Sequence, residues 1–316
     1  MVSVVNHIDT QHQDMLHDAQ LDYYGKRLAT CSSDRSIRVF DVDQNGQYFL
    51  SSTLINHEGP VWQVAWSHPM FGNLLASCSY DCKVIIWAEN NKKWSNLYTY
   101  TGHDSSVNSV CWAPIEYGII LASGSSDGSI AIISNTDGNW SAKKISNAHT
   151  IGCNAVSWAP SVDAGSLFDN AEGDPKPNVK RLVTGGCDYK VNIWKEIDGE
   201  WKLDQSLDGH SDWVRDVAWA PNIGVSVSTI ASCGEDGRVI IWTKEEDNSE
   251  REWTSKILLQ LDKPIWHVSW SVTGNILAVS SSDNKVSLWK EGLNGDWVCI
   301  DDVKKTEVTE ETEKQE

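Results

Sequence analysis

No stretch of this sequence is apolar for long enough to span a bilayer, and no signal-peptide pattern follows Met1. The chain is therefore expected to be made and kept in the cytosol or nucleus. Its eight cysteines never form a C-x-x-C pair. Cys31, Cys78, Cys187 and Cys233 fall in expected second strands, and Cys111 and Cys153 in expected first strands. There they read as small buried apolar residues rather than a disulfide set. Cys78 and Cys82 are four apart, but His57 and Asp81 beside them have another use, so no metal is expected. Cations are scarce, with 26 Lys and Arg against 44 Asp and Glu and a net charge of −18. That balance disfavours direct binding to nucleic acid or anionic lipid. There is no H-E-x-x-H, and the glycines of Thr184-Gly185-Gly186 carry no P-loop lysine. No cofactor is expected.

What is present is repetition. Six times an Asp is followed six residues later by a large apolar residue: Asp34/Phe40, Asp81/Trp87, Asp127/Ile133, Asp188/Trp194, Asp236/Trp242 and Asp283/Trp289. The gaps between successive Asp residues are 47, 46, 61, 48 and 47. A period in the forties with this signature predicts an all-β fold, a six-bladed propeller of WD repeats with four strands per blade. The second unit is the fullest. Val61–Trp66 alternates as a half-buried strand, Leu74–Ser79 is a second, Lys83–Trp87 a β-branched third, and Trp94–Tyr98 a fourth. Hairpin-length polar turns separate them.

The expected organisation is an N-terminal segment 1–13, a propeller 14–303 and a disordered acidic tail 304–316. The blades fall at about 14–55, 56–101, 102–147, 148–208, 209–261 and 262–303. The long interval is a polar insertion at 161–178 inside the fourth blade, and such insertions map to surface loops.

Seventeen tryptophans are present. First strands carry Tyr23, Trp66, Trp112, Trp158, Trp219 and Trp270. Fourth strands open on Trp94, Trp140, Trp201, Trp253 and Trp297, and four third strands end in Trp. Those fourteen tryptophans read as filler between stacked blades. Trp62, Trp213 and Trp266 stand outside the pattern and are candidate contact residues.

A polar set recurs as well: His17/Thr30/Asp34, His57/Ser77/Asp81, His103/Ser123/Asp127, His149/Thr184/Asp188 and His210/Ser232/Asp236. Five His/hydroxyl/Asp groups look like hydrolase triads, but catalysis needs one site rather than one per blade. A buried Asp at a turn needs donors, and a His with a hydroxyl supplies them. With Trp87, Trp194 and Trp242 they resemble the structural hydrogen-bond tetrads of WD repeats. The sixth unit departs, with Leu261-Asp262-Lys263-Pro264 where the His belongs and Val279 in place of the hydroxyl. No catalytic residue is assigned, and an enzyme is not expected.

The first and sixth units each have a fourth strand of their own, Gln47–Leu54 and Trp297–Asp301. Six complete blades leave no shared blade to lock the ring. Val2-Ser3-Val4-Val5 is the one strand-like run left over, and Val2 and Val4 join Trp62, Trp213 and Trp266 as candidate interface residues. An open ring exposes strand edges that a partner covers by adding strands.

Several strings go beyond the generic repeat: Asp22-Tyr23-Tyr24-Gly25-Lys26-Arg27, His57-Glu58-Gly59-Pro60-Val61-Trp62, His210-Ser211-Asp212-Trp213-Val214-Arg215 and Asp283-Asn284-Lys285-Val286. They resemble the Sec-thirteen family of small WD-repeat coat subunits from about Val2 to Asp302. The resemblance implies an open propeller that receives a seventh blade from a partner. It implies three partners: the large outer-coat α-solenoid subunit of the COPII vesicle coat, a scaffold nucleoporin of the nuclear-pore Y-complex, and subunits of a GATOR-type assembly. The implied locations are the cytosolic face of the endoplasmic reticulum, COPII vesicles, the nuclear envelope and the lysosomal membrane, with membrane reached only through coat partners. The competing reading is a substrate adaptor of a ubiquitin-ligase or chromatin complex, and the absence of an appended docking domain weighs against it.

Overall fold

The computed structural model describes residues 7–43, 45–161, 179–222, 227–245, 252–292 and 294–304, the last four of them by backbone alone. Val2 and Val4, insertion residues 162–178 and tail residues from 305 onward lie outside the described residues.

Six antiparallel four-stranded sheets succeed one another along the chain. Blade one is β1 Leu16–Leu21, β2 Arg27–Ser32, β3 Ser36–Val42 and β4 Tyr48–Ile55. Blade two is β5 Val61–Trp66, β6 Leu74–Ser79, β7 Val84–Asn90 and β8 Lys93–Tyr100. Blade three is β9 Val107–Trp112, β10 Ile120–Ser125, β11 Ile130–Thr136 and β12 Asn139–Ile145. Blade four is β13 Cys153–Trp158, β14 Arg181–Gly186, β15 Lys190–Ile197 and β16 Glu200–Asp208. Blade five is β17 Val214–Trp219, β18 Val227–Gly234, β19 Arg238–Glu245 and β20 Thr254–Gln260. Blade six is β21 Ile265–Trp270, β22 Ile276–Ser281, β23 Lys285–Glu291 and β24 Trp297–Lys304. Among the described residues no sheet mixes strands from the two ends of the chain.

The third strands are nearly continuous apolar runs because both faces are covered. Val84, Ile85 and Ile86 are each at most 1 % exposed, as are Val239, Ile240 and Ile241. One face packs against the preceding blade and the other against the next. Ala29, Cys31, Ile37 and Val39 of blade one thus share a core with Val61, Val64, Leu75 and Ile85 of blade two. Five such cores join six blades in a row. Fourth strands are the outer edges, mostly exposed and carrying lysines such as Lys93, Lys143, Lys144, Lys202 and Lys256. Fourth-strand indoles fold back edge-on to first-strand ones, Trp94 on Trp66 at 5.8 Å and Trp201 on Trp158 at 5.7 Å.

Two strand placements need correction, one in blade one and one in blade four. Tyr23 is not a first-strand residue: β1 ends at Leu21, and Tyr23 lies in the following turn, 68 % exposed, its ring against Tyr24 and His68. Leu21 holds the place that Trp holds in the other five blades. Cys187 lies one residue past β14, in the turn, and not in the strand.

Candidate functional site

Each blade has a tight turn between its second and third strands, entered by the repeated Asp. The next residue, Arg35, Cys82, Gly128, Tyr189, Gly237 or Asn284, has φ between 61° and 78°. Only glycine adopts that conformation freely, so four of the six turns hold a strained side chain in place. The Asp compensates by stapling two loops. Asp236 accepts the N–H of Arg238 at 3.1 Å on its own turn and that of Ser211 at 2.9 Å on the loop entering the blade. Asp34, Asp81, Asp127 and Asp188 do the same.

In blades two, four and five a histidine bridges the Asp directly to the second strand. His57 Nδ1 lies 3.0 Å from Asp81 and Nε2 2.8 Å from Ser77 Oγ, which also receives Trp87 Nε1–H at 2.9 Å. His149, Thr184, Asp188 and Trp194 repeat this with 2.8, 2.8 and 3.0 Å. His210, Ser232, Asp236 and Trp242 do so with 3.1, 2.8 and 2.8 Å. Burial would push Asp81, Asp188 and Asp236 up, yet the bonds they accept hold all three below the ordinary carboxylate value.

Blade one uses a different histidine from the one the sequence suggested. His12 Nδ1 sits 2.8 Å from Asp34 and Nε2 2.9 Å from Thr30 Oγ1. His17 is inside β1, bonded to Ser33 Oγ at 2.7 Å and edge-on to Trp62 at 4.5 Å. His12 stands four residues before its first strand, as His57, His103, His149 and His210 do. That spacing is the signal that identifies it.

Blades one and three, which have Phe40 and Ile133 in place of the third-strand Trp, contain a serine that sequence reasoning missed. Ser36 Oγ donates to Asp34 at 2.7 Å, and Ser129 Oγ donates to Asp127 at 2.5 Å. Ser129 stands between the ring and the acid: His103 Nδ1 is 3.1 Å from Ser129 Oγ but 3.6 Å from Asp127. His103 Nε2 reaches Ser123 at 2.9 Å, and burial lowers the imidazole to about 4. In blade six Val279, 1 % exposed, fills the hydroxyl position, and Trp289 Nε1 turns to Ser287 Oγ at 2.9 Å. These groups cross-link turns, and the imidazoles among them are at most 1 % exposed.

The inner strands line a channel of about 580 Å³ bordered by Gln63, Asp216 and His267. His267 Nδ1 lies 2.6 Å from Asp216. That carboxylate, against the opposing effect of burial, raises the imidazole to about 9. Among the described residues no group of three or more His, Cys, Asp or Glu is placed to hold a metal ion.

The three unassigned tryptophans occupy two kinds of site. Trp62 is half-buried against the core between blades two and three and donates Nε1–H to Ser106 Oγ at 2.9 Å. Trp213 and Trp266 are 40 % and 47 % exposed, with the Arg215 guanidinium between them at 5.2 and 4.9 Å. Glu235 binds the same guanidinium at 2.6 Å. Trp62, Arg215 and Trp266 all sit at a bulge in their first strand, which takes the side chain out of the strand's alternation.

Inner strands pack side by side in the order β1, β5, β9, β13, β17, β21. Among the described residues β21 does not return against β1 in the same way. Apolar side chains are exposed on both sides of that seam. Leu16 and Leu21 are 49 % and 52 % exposed, whereas Val61, the equivalent of Leu16 in blade two, is fully buried. On blade six Val286 is 38 % exposed, where its blade-one equivalent Ile37 is fully buried.

Five stretches match the WD domain, G-beta repeat family: residues 5–41, 43–88, 94–134, 201–243 and 256–290. The chain is 63 % identical over 308 residues to a Homo sapiens protein called Protein SEC13 homolog, covering 96 % of this chain and 95 % of that one. It is 58 % identical to the Protein SEC13 homolog of Dictyostelium discoideum, covering 94 % and 97 %. To the Protein transport protein SEC13 homolog A of Arabidopsis thaliana it is 58 % identical, covering 92 % and 96 %.

Proposed function

The chain belongs to the SEC13 family of WD-repeat proteins, and on that premise we propose that it is a non-catalytic scaffold subunit of the COPII coat, which carries cargo from the endoplasmic reticulum to the Golgi. Its partner there is the large outer-coat α-solenoid subunit. That partner donates a blade to the seam and gains a stiff joint, because stacked blades bury apolar faces on both sides and resist bending. The same seam serves a scaffold nucleoporin of the nuclear-pore Y-complex, and with it messenger-RNA export, and a GATOR-type assembly that signals nutrient state at the lysosomal membrane. The protein reaches membranes through these partners.

The observation that carries this reading is the seam: among the described residues, six self-contained sheets in which β21 does not pack on β1 as the other inner strands pack on one another, with exposed apolar side chains on both sides. The test is thermal unfolding of the chain alone and with the outer-coat subunit's propeller-binding fragment, alongside hydrogen exchange in β1 and β21. A fragment present at a hundredfold excess over its Kd adds about 2.7 kcal/mol. Unchanged melting together with unchanged exchange at both strands refutes filling of the seam. A pull-down from cells dominated by ligase or chromatin subunits turns the reading to a substrate adaptor.

A further inference from the structure

Four of the five joints between blades share one hydrogen-bond grammar, and its interruption at the seam specifies what the seam accepts. The sixth residue of the inner strand is an indole that donates to the fifth-residue carbonyl of the preceding blade. Trp66 gives to Gln20 at 2.9 Å, Trp112 to Ala65 at 2.9 Å, Trp158 to Cys111 at 3.0 Å and Trp270 to Ala218 at 3.0 Å. Ser269 holds the fifth place in blade six. Blade one has Leu21 in the sixth place and no indole to offer it.

The fourth-residue N–H follows a second rule. It goes to the third side chain of the preceding blade: Val64 to Asp18 at 3.2 Å, Val110 to Gln63 at 2.7 Å, Val156 to Ser109 at 3.3 Å and Val268 to Asp216 at 3.0 Å. Blade four breaks the series, because Ala155 has no acceptor. Blade five answers with its own third residue, as Asp216 takes the Val217 N–H at 2.9 Å. Blade one follows the same rule, with Asp18 taking the Ala19 N–H at 2.8 Å. A blade whose predecessor cannot accept therefore carries Asp at its third position.

The third residue of blade six is His267. Its Nδ1 is committed to Asp216, and the ring is an imidazolium, a donor and not an acceptor, at neutral pH. A blade that follows blade six therefore meets a cation, a fifth-residue carbonyl without an indole, and no acceptor for its own fourth N–H. On its far side it meets Leu16, Ala19 and Leu21, all exposed and all apolar.

Resting on the seam-filling role above, we propose that the donated inner strand reads Asp-x-x-Trp, its carboxylate against His267 and its indole on the Ser269 carbonyl, and that blade one holds it by apolar contact alone. The partner is thus recognised with polar bonds on one side of the seam and with shape and burial on the other. Charge complementarity and the unfinished ladder both point to this occupant.

The experiment uses the full chain and the outer-coat subunit's propeller-binding fragment. Each Trp of the fragment is changed to Phe, and each Asp three residues before a Trp to Asn, with dissociation followed by biolayer interferometry. One Trp→Phe change is expected to speed dissociation about fivefold, the worth of one hydrogen bond, and the Asp→Asn change at least as much. Leu21→Gln in this chain is expected to speed it about tenfold without lowering the chain's own melting temperature, since Leu21 is exposed when the seam is empty. His267→Gln should abolish the effect of the Asp→Asn change. A fragment that protects β1 and β21 from exchange but has no such Trp, or is indifferent to all four changes, overturns the pattern and leaves seam filling intact. A fragment that protects neither strand overturns seam filling itself.

Discussion

Replacing Asp236 with Ala removes the acceptor that ties His210 to its turn in blade five. In the folded protein that carboxylate, with its side chain 4 % exposed, accepts from His210 Nδ1 at 3.1 Å, Ser211 N–H at 2.9 Å and Arg238 N–H at 3.1 Å. Ser211 is exposed and Arg238 partly so, and water replaces the acid at their amides. The His210 ring has no exposed surface, so its donor is left unpaired. One unsatisfied buried donor costs about 1–3 kcal/mol, or roughly 2 °C of melting temperature per kcal/mol in a chain of this size. Asp283→Ala in blade six is the internal control. No histidine reaches Asp283 among the hydrogen bonds of the described residues, and the change should stay within about 0.5 kcal/mol. The bonds from His210 and Ser211 hold Asp236 below its ordinary value against the effect of burial. Its stabilisation is therefore present above the unfolded carboxylate value and lost as pH falls through the folded one. The gap between wild type and Asp236→Ala, measured by denaturant midpoint from pH 7 downward, should narrow below about pH 4. Equal losses for Asp236→Ala and Asp283→Ala, or a loss of partner binding at unchanged stability, would refute the structural role of the cluster.

Three further outcomes follow from the geometry. Trp62→Ala should destabilise the isolated propeller by about 3 kcal/mol, because Trp62 packs against a core between blades, whereas Trp213→Ala, losing a cation–π contact worth about 1 kcal/mol, should weaken assembly more than folding; denaturant midpoints and partner affinity separate the two. The stabilisation from His267 is fully present below its unfolded value near 6.5 and is lost as pH rises through about 9, so the advantage of wild type over His267→Gln should fade between pH 7 and 10, and an NMR titration should place the ring near 9. Ser232→Val cuts the bonds from His210 and Trp242 and should cost more than Val279→Ser, in a blade where no histidine waits for the hydroxyl, as read by melting temperature.

The blade count and the succession of strands were legible because the turn Asp repeats at a period in the forties with its own apolar partner six residues on. Blade one was the least legible. Its lack of a preceding blade removes the pressures that shape the others: Leu21 stands where Trp anchors to a predecessor, and Ala19 where Val is buried. Tyr23 filled the gap by resemblance of type alone. The bridging histidine of blade one is His12, marked by its four-residue lead into the first strand, whereas His17 lies inside that strand. The serines at 36 and 129 were invisible because their role appears only where the third-strand Trp is missing. The joint-to-joint ladder could not be read at all, since it links residues about 46 apart whose pairing depends on which edges face each other.

A row of blades joined by shared cores at five places, and among the described residues not at the sixth, behaves as a split ring. In a closed ring the angular displacements of the joints must sum to zero, so small rotations cancel. In a split ring they add, and a degree at each joint appears as several degrees of opening at the seam. The gap between β21 and β1 is thus the softest dimension of an otherwise tightly packed body. Whatever fills it converts that accumulated play into a fixed curvature.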